Sequence, residues 1–352
     1  MNTVNETKTF SSLPEEDIGS SFDRRKEIMV KKVILDVDTG SDDAIAIMMA
    51  VLSGKLDVIG ITVTWGNRPV EDCVKNTLKV LELVKKDIPV YQGCPQAMVR
   101  YLTRQRNAAL DQDGISISID GKEYTVHPKE FPLPKPKTKK QKEHACTFLI
   151  NAVKSSKEKV IMVAVGPLTN LGMALRMCPE MKENIEKIVI MGGGVHKGNI
   201  TPCAEANFYH DPEAAKIVLE SGIPCDVVPL NATHSAEISL DNAKTLEETE
   251  KEPAVFAAKL IRQRIEALDK MHAGNGYSDA IHDALAVASL LDESVIEEWK
   301  TNGFDIDING GSGDGALIVD ERNNQEIKFP VRFAMKANQK KFFGLMKEIL
   351  GK

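Results

Sequence analysis

Four aspartates fall within eight residues in Asp36-Val37-Asp38-Thr39-Gly40-Ser41-Asp42-Asp43. Carboxylates packed this densely beside apolar sequence repel one another and lose hydration, costs that a bound cation or a set of donors must offset. A further acid stands about 240 residues away in Ile281-His282-Asp283-Ala284-Leu285-Ala286, again at the mouth of an apolar run and next to a histidine. Asp38, Asp43 and Asp283 would together make a set of hard oxygen ligands, which suits calcium or magnesium better than zinc. The first motif is not an EF-hand loop, which needs glycine at its sixth position and glutamate at its twelfth, so distant segments must share any metal. The simpler reading is a pair of acid-capped helices and a surface histidine. A third group is Asn199 with Glu205 and Asn207. The last two have the spacing of neighbours on one side of an extended segment and suit vicinal hydroxyls, or else an ordinary loop network.

Parallel strands joined by helices would position these residues. Lys31 to Leu35 reads as a buried strand and Ala44 to Leu52 as a buried helix, with Ser41 as N-cap, Asp42 and Asp43 in the first turn, and Gly54 after the end. Strand-like runs recur at Val58 to Thr64, Val160 to Val165, Ile188 to Met191 and Asp226 to Pro229. Helical patterns lie between them at Pro69 to Val84, Leu168 to Met177 and Pro212 to Ser221, the last with Asp211 as N-cap. The alternation predicts an open, mostly parallel Rossmann-like α/β sheet with helices on both faces. Ligands of such sheets bind beyond the carboxyl ends of the strands. Trp65-Gly66-Asn67, Gly166-Pro167-Leu168-Thr169-Asn170 and Gly192-Gly193-Gly194 occupy those places beside the aspartates. Neither GxGxxG nor GxxxxGK[ST] is among them, so a nucleotide-phosphate site has little support.

Residues 1–28 are rich in Ser, Thr and Glu without periodicity and read as a flexible extension before one domain spanning 29–352. The segment from Val99 to Glu143 breaks the rhythm and reads as a surface insertion or an active-site flap. Between Phe304 and Phe333, Gly310-Gly311-Ser312-Gly313 predicts a short antiparallel hairpin near the C-terminus, followed by a last helix from Gln339 to Leu350. With 352 residues, 42% of them hydrophobic, the chain can bury a large core. Its net charge of −6 is dispersed, and no basic stripe is interleaved with aromatics, which argues against nucleic acid or an anionic membrane as partner. No secretory signal or membrane-length apolar run is visible, and six scattered cysteines fit reduced thiols, so a cytoplasmic protein is expected.

The motif from Asp36 to Ala44, Gly166 to Asn170, Met191 to Gly194 with Asn199 and Glu205-Ala206-Asn207, and His282-Asp283 resemble, in order, those of the inosine/uridine-preferring nucleoside hydrolases. The resemblance implies Ca2+-dependent hydrolysis of the N-glycosidic bond of ribonucleosides. Carried onto this chain, it implies that Asp38, Asp43, Asp283 and the carbonyl of Val165 hold Ca2+. Asp38 would also be the general base toward a water held by the metal. Asp42, Asn67, Met191, Asn199, Glu205 and Asn207 would surround the ribose, and His282 would assist the departing base. Homodimers or homotetramers are expected on the same ground.

The chain departs from the family pattern on the base side. Ala206 stands where an aromatic is common, Leu110 to Ile115 lacks the family's flap histidine, and Ala257 to Met271 has no aromatic. Base preference is therefore not implied, and His234, His272 and Tyr277 are the candidates for that pocket. Two rivals remain: a catalytically weak Ca2+-dependent nucleoside-binding protein, and a phosphatase of the haloacid dehalogenase type, whose nucleophile motif Asp36-Val37-Asp38-Thr39 resembles. The phosphatase fails at Gly40, where Thr or Val is expected, and at Asp42-Asp43, which would repel phosphate.

Overall fold

The computed structural model describes residues 30–103, 106 and 115–352. The expected extension over 1–28 lies outside the described residues, as do 104, 105 and 107–114 of the segment from Val99 to Glu143. Fourteen strands are described. They are β1 (Lys31–Val37), β2 (Leu56–Val63), β3 (Val90–Gln92), β4 (Ser116–Ile119), β5 (Lys122–Thr125), β6 (Val160–Ala164), β7 (Ile185–Met191) and β8 (Cys225–Val228), then β9 (Ile238–Ser239), β10 (Ser278–Asp279), β11 (Ile296–Lys300), β12 (Gly303–Ile306), β13 (Leu317–Asp320) and β14 (Val331–Ala337). Eight form the central sheet in the order β11-β14-β8-β7-β6-β1-β2-β3. All neighbouring pairs in it are parallel except β11 with β14.

The alternation of side chains along β1 divides the core in two. Val33, Leu35 and Val37 pack with helices Ser41–Leu52, Val70–Leu83, Glu252–Lys270, His282–Leu291 and Gln339–Leu350. Ile34 packs on the opposite face with helices Ala145–Ser155, Thr169–Met177 and Pro212–Leu219. Both faces of the sheet are thus covered, which explains why its strands read as nearly continuous apolar runs. From β1 the chain moves outward through β2 and β3 to one edge, whereas β6, β7 and β8 step the other way. The reversal between β1 and β6 leaves a crevice at their carboxyl ends, the place where open α/β sheets bind ligands.

The hairpin expected around Gly310 is β12 with β13, a separate two-stranded sheet. Beyond it, β14 returns to the central sheet beside β8, so Phe333 belongs to a sheet strand instead of to the hairpin. The Val99 to Glu143 region is more than a surface loop. β4 and β5 pair as a hairpin, and Phe131 is buried edge-on against Phe256, its backbone held by Asn76 and Lys79. Among the described residues, no helix is long and apolar enough to cross a membrane.

Candidate active site

The aspartate-rich turn leaves β1 and enters helix Ser41–Leu52 with Gly40, not Ser41, at the N-cap. Ser41 is already helical, and its hydroxyl donates to Val126 O at 2.8 Å. Asp43 caps the turn instead, accepting from the backbone N–H of Gly40 at 2.9 Å and of Asp38 at 3.1 Å. Helix His282–Leu291 packs beside this helix and brings Asp283 in its own first turn, so two helix N-termini face one set of carboxylates. Carboxylate oxygens of Asp42, Asp43 and Asp283 lie within 4.8 Å of one another. Asp38, Asp42, Asp43 and Asp283 are each at most 4% exposed, too buried for water to screen their repulsion.

The four acids answer that repulsion differently. Burial first, then the charge of Asp43, pushes the Asp38 carboxyl well above the ordinary carboxylate range. Asp283 is also pushed well up, by burial and then by Asp42, Asp43 and Asp38. Asp43 is raised to about 6 by burial and by Asp42. Asp42 is the exception: burial opposes its ionisation, but Arg264 and His127 more than offset this and lower it. Arg264 Nη1 donates to Asp42 Oδ1 at 3.0 Å. Asp38 Oδ2 accepts from Asn67 N–H at 2.7 Å, whereas Asp38 Oδ1 is buried without a hydrogen-bond partner. A buried carboxylate oxygen without a donor, with three further acids around it, is suited to a cation as its partner. The acids whose oxygens gather closely enough to share a hard divalent ion are Asp42, Asp43 and Asp283, whereas the set expected from sequence has Asp38 in place of Asp42. Asp42 already spends one oxygen on Arg264.

Glycines bring the backbone close around Asp38. A Cβ on Gly66 would stand 2.2 Å from Asp38 Oδ2, and one on Gly166 would stand 2.8 Å from Oδ1. Gly66 also has φ of +153°, which favours glycine. Across the crevice, Val165 follows β6, and its carbonyl accepts from Asn207 Nδ2 at 2.7 Å. The same amide reaches Met191 O at 3.1 Å and Met191 Sδ at 3.5 Å. Glu205 and Asn207 are not on an extended segment as the spacing predicted. Glu205 caps helix Ala206–His210, and Asn207 lies within its first turn. The correction has a local cause: the Glu205 carboxylate takes the N–H groups of Asn207, Phe208 and Gly193, which favours a helical turn. Burial raises Glu205 to about 7 despite those three donors, and Asp42 adds to the rise. Asn199 is exposed and accepts from Ala206 N–H at 3.0 Å, so it braces the loop beside Glu205 from outside.

His282 opens its helix, with Nδ1 2.9 Å from Thr233 Oγ1 and its ring edge-on to His234 at 5.5 Å between centroids. The Thr233 hydroxyl donates to Leu230 O, so it accepts from Nδ1–H and leaves Nε2 as the unengaged nitrogen. Burial, with Arg264 and His234, lowers His282 to about 4 against the opposing pull of Asp42 and Asp279. Of the other base-side candidates, Tyr277 is exposed with its hydroxyl on Asp241, and His272 lies exposed after helix Glu252–Lys270.

Three residues at the site carried no reading from sequence. His127 has Nδ1 3.2 Å from Ser41 N–H and 3.7 Å from Asp42, and Arg264 and Asp279 form a buried ion pair. An arginine on the apolar face of a helix, spaced by four from Leu260 and by eight from Phe256, was the available signal. Asp36 belongs elsewhere. Its Oδ1 accepts from Thr62 and Asn170 on the other side of the sheet, and burial raises it to about 6. A group so enclosed cannot lead a phosphatase nucleophile motif.

Fold and site together define an α/β protein with a buried carboxylate cage at the topological switch point. The family model for the inosine-uridine preferring nucleoside hydrolases matches residues 33–344. The inosine-uridine preferring nucleoside hydrolase of Crithidia fasciculata is 31% identical over 326 residues, 92% of this chain and 98% of the relative. The pyrimidine-specific ribonucleoside hydrolase RihB of Escherichia coli is 30% identical over 292 residues, 83% of this chain and 88% of the relative. Among solved structures, a purine-preferring ribonucleoside hydrolase from Gardnerella vaginalis superposes with a TM-score of 0.77 at 29% identity, covering 91% of this chain and 98% of that one. The chain belongs to the inosine-uridine preferring nucleoside hydrolase family and is an enzyme of that kind. Its relatives' names span inosine-uridine, pyrimidine and purine preference, so likeness alone does not choose the base.

Proposed function

We propose that the protein hydrolyses the N-glycosidic bond of ribonucleosides to ribose and free base with Ca2+ held by Asp38, Asp43, Asp283 and the carbonyl of Val165. The observation that carries this reading is the buried, unpartnered Asp38 Oδ1 among acids that burial and mutual repulsion push toward protonation. The Val165 carbonyl keeps a second lone pair beside the one that Asn207 uses. Bound there, Ca2+ would acidify water and orient the ribose diol.

The chain's own groups supply the remaining chemistry. The Asp38 carboxylate takes the proton of the attacking water, and the Asn67 N–H bond to Oδ2 keeps it aimed. Asp42 accepts from a ribose hydroxyl while Arg264 holds its charge. Glu205 and the amide oxygen of Asn207 face the sugar ring, where negative and dipolar groups stabilise an oxocarbenium-like transition state. Asn67 and Met191 complete the surround of the ribose, and Asn199 supports it indirectly through its bond to Ala206 N–H beside Glu205. His282 Nε2 serves the departing base. With its pKa near 4 the imidazolium is sparse at neutral pH and correspondingly strong as an acid.

Assay of inosine, uridine, cytidine, adenosine and guanosine for free ribose tests the reading. Release from at least one of them is expected. Tight nucleoside binding without ribose release would support the binding-protein alternative and overturn this one.

A further inference from the structure

We propose that Arg264 is a positioning residue that withholds Asp42 from the metal and presents it to the ribose. The inference rests on the calcium and ribose roles assigned above. By distance alone, Asp42 is as well placed to ligate a cation as Asp43 and Asp283, since their oxygens lie within 4.8 Å of one another. One site thus offers an extra carboxylate, and something must decide which acids face the metal.

Arg264 makes that decision by occupying Asp42. It is 3% exposed, in the middle of helix Glu252–Lys270 and among that helix's buried apolar residues. Nη1 donates to Asp42 Oδ1 and to Ser41 Oγ, each at 3.0 Å. Nε donates to Asp279 Oδ2 at 2.7 Å, and Nη2 to Ala280 O at 3.3 Å. The planar guanidinium spreads its donors over four acceptors on two segments, a geometry that an ammonium cannot reproduce. Asp279 offsets the arginine's charge, so Asp42 keeps net negative charge for the sugar. Asp279 also limits the repulsion that a guanidinium near Asp283 would exert on a cation.

Two effects in opposite directions distinguish this role from a merely structural one. In R264M the guanidinium's repulsion is gone and Asp42 is released toward the metal, so Ca2+ binds more tightly, by ~3-fold or more. The same variant loses the fixed ribose contact, and KM rises by ~10-fold or more, while kcat at saturating Ca2+ changes less. R264K keeps the charge and loses the fork, so its Ca2+ Kd stays near the native value while KM still rises. In D279N the arginine's charge is no longer offset, and Ca2+ binds more weakly than to native protein. Calorimetric titration of chelator-treated protein with Ca2+ reads the metal arm, and steady-state kinetics at saturating Ca2+ reads the sugar arm. Unchanged KM in folded R264M or R264K, or weaker Ca2+ binding to R264M, overturns the proposal. Should R264M not fold, Ca2+ binding to D279N at native strength or tighter overturns it. A native protein that releases no ribose from any nucleoside instead overturns the enzymatic reading, and the calcium titrations still judge whether Arg264 competes with the metal.

Discussion

Replacing Asp38 by Asn separates the two duties given to that carboxylate. The side chain keeps its shape, and its amide oxygen can still accept the Asn67 N–H bond that Oδ2 now takes at 2.7 Å. What is lost is one negative charge and the ability to take a proton. Unit charges ~4 Å apart in an effective dielectric of ~20 attract by ~4 kcal/mol, so Ca2+ affinity should fall by up to ~10³-fold and recover in excess metal. Turnover should not recover. Loss of a general base lowers kcat by at least ~10², or about 2.7 kcal/mol of barrier. Metal-free protein should respond in the opposite sense. Burial and Asp43 hold the native Asp38 carboxyl well above its ordinary range, so folding at pH 8 requires either a buried charge or an added proton, and Asn removes that cost. Metal-free D38N should therefore melt higher than metal-free native protein while gaining less from Ca2+. Ribose release at saturating Ca2+, with thermal melts in chelator and in Ca2+, reads all three effects. Near-native kcat at saturating Ca2+, or a metal-free melt below native, would refute the reasoning.

His282→Ala should slow natural nucleosides far more than p-nitrophenyl riboside, whose leaving group needs little protonation, and equal losses on both substrates would remove His282 as the acid. Asp36 gives a pH test independent of metal, because its pKa is raised to about 6 and it holds no ligand position. Between about pH 4 and 6 the folded protein binds a proton that the unfolded chain releases, so stability falls as pH rises through that window. Asp36→Asn keeps an acceptor for Thr62 and Asn170 and should gain up to ~3 kcal/mol at pH 8, with the gain vanishing near pH 4, in chelator and in Ca2+ alike. Denaturant melts at the two pH values check this.

The sheet and most of its helices were legible because buried parallel strands and the helices between them have local signatures, as in Val160–Ala164 and Val70–Leu83. The gathering of Asp38, Asp42 and Asp43 at one turn was legible because so many acids in eight residues have few uses, but Asp36 of the same motif turns to the other side of the sheet. Local geometry was harder to read. Ser41 looks like an N-cap in sequence, but Asp43 takes the cap's donors and shifts the helix start by one residue. Glu205 and Asn207 have strand-like spacing, yet three backbone donors on Glu205 turn the segment into a helix. The Arg264, Asp279 and His127 network joins segments far apart in the chain, so no window of sequence contains it. A buried arginine on an apolar helix face announces the need for a counter-ion without saying where that partner comes from.

A Ca2+ titration of chelator-stripped protein, with bound metal and ribose release from the best nucleoside followed together, tests whether calcium is the cofactor. The stripped protein should not turn over, and activity should return in proportion to bound Ca2+, complete at one ion per chain. Full ribose release with the metal removed would contradict it.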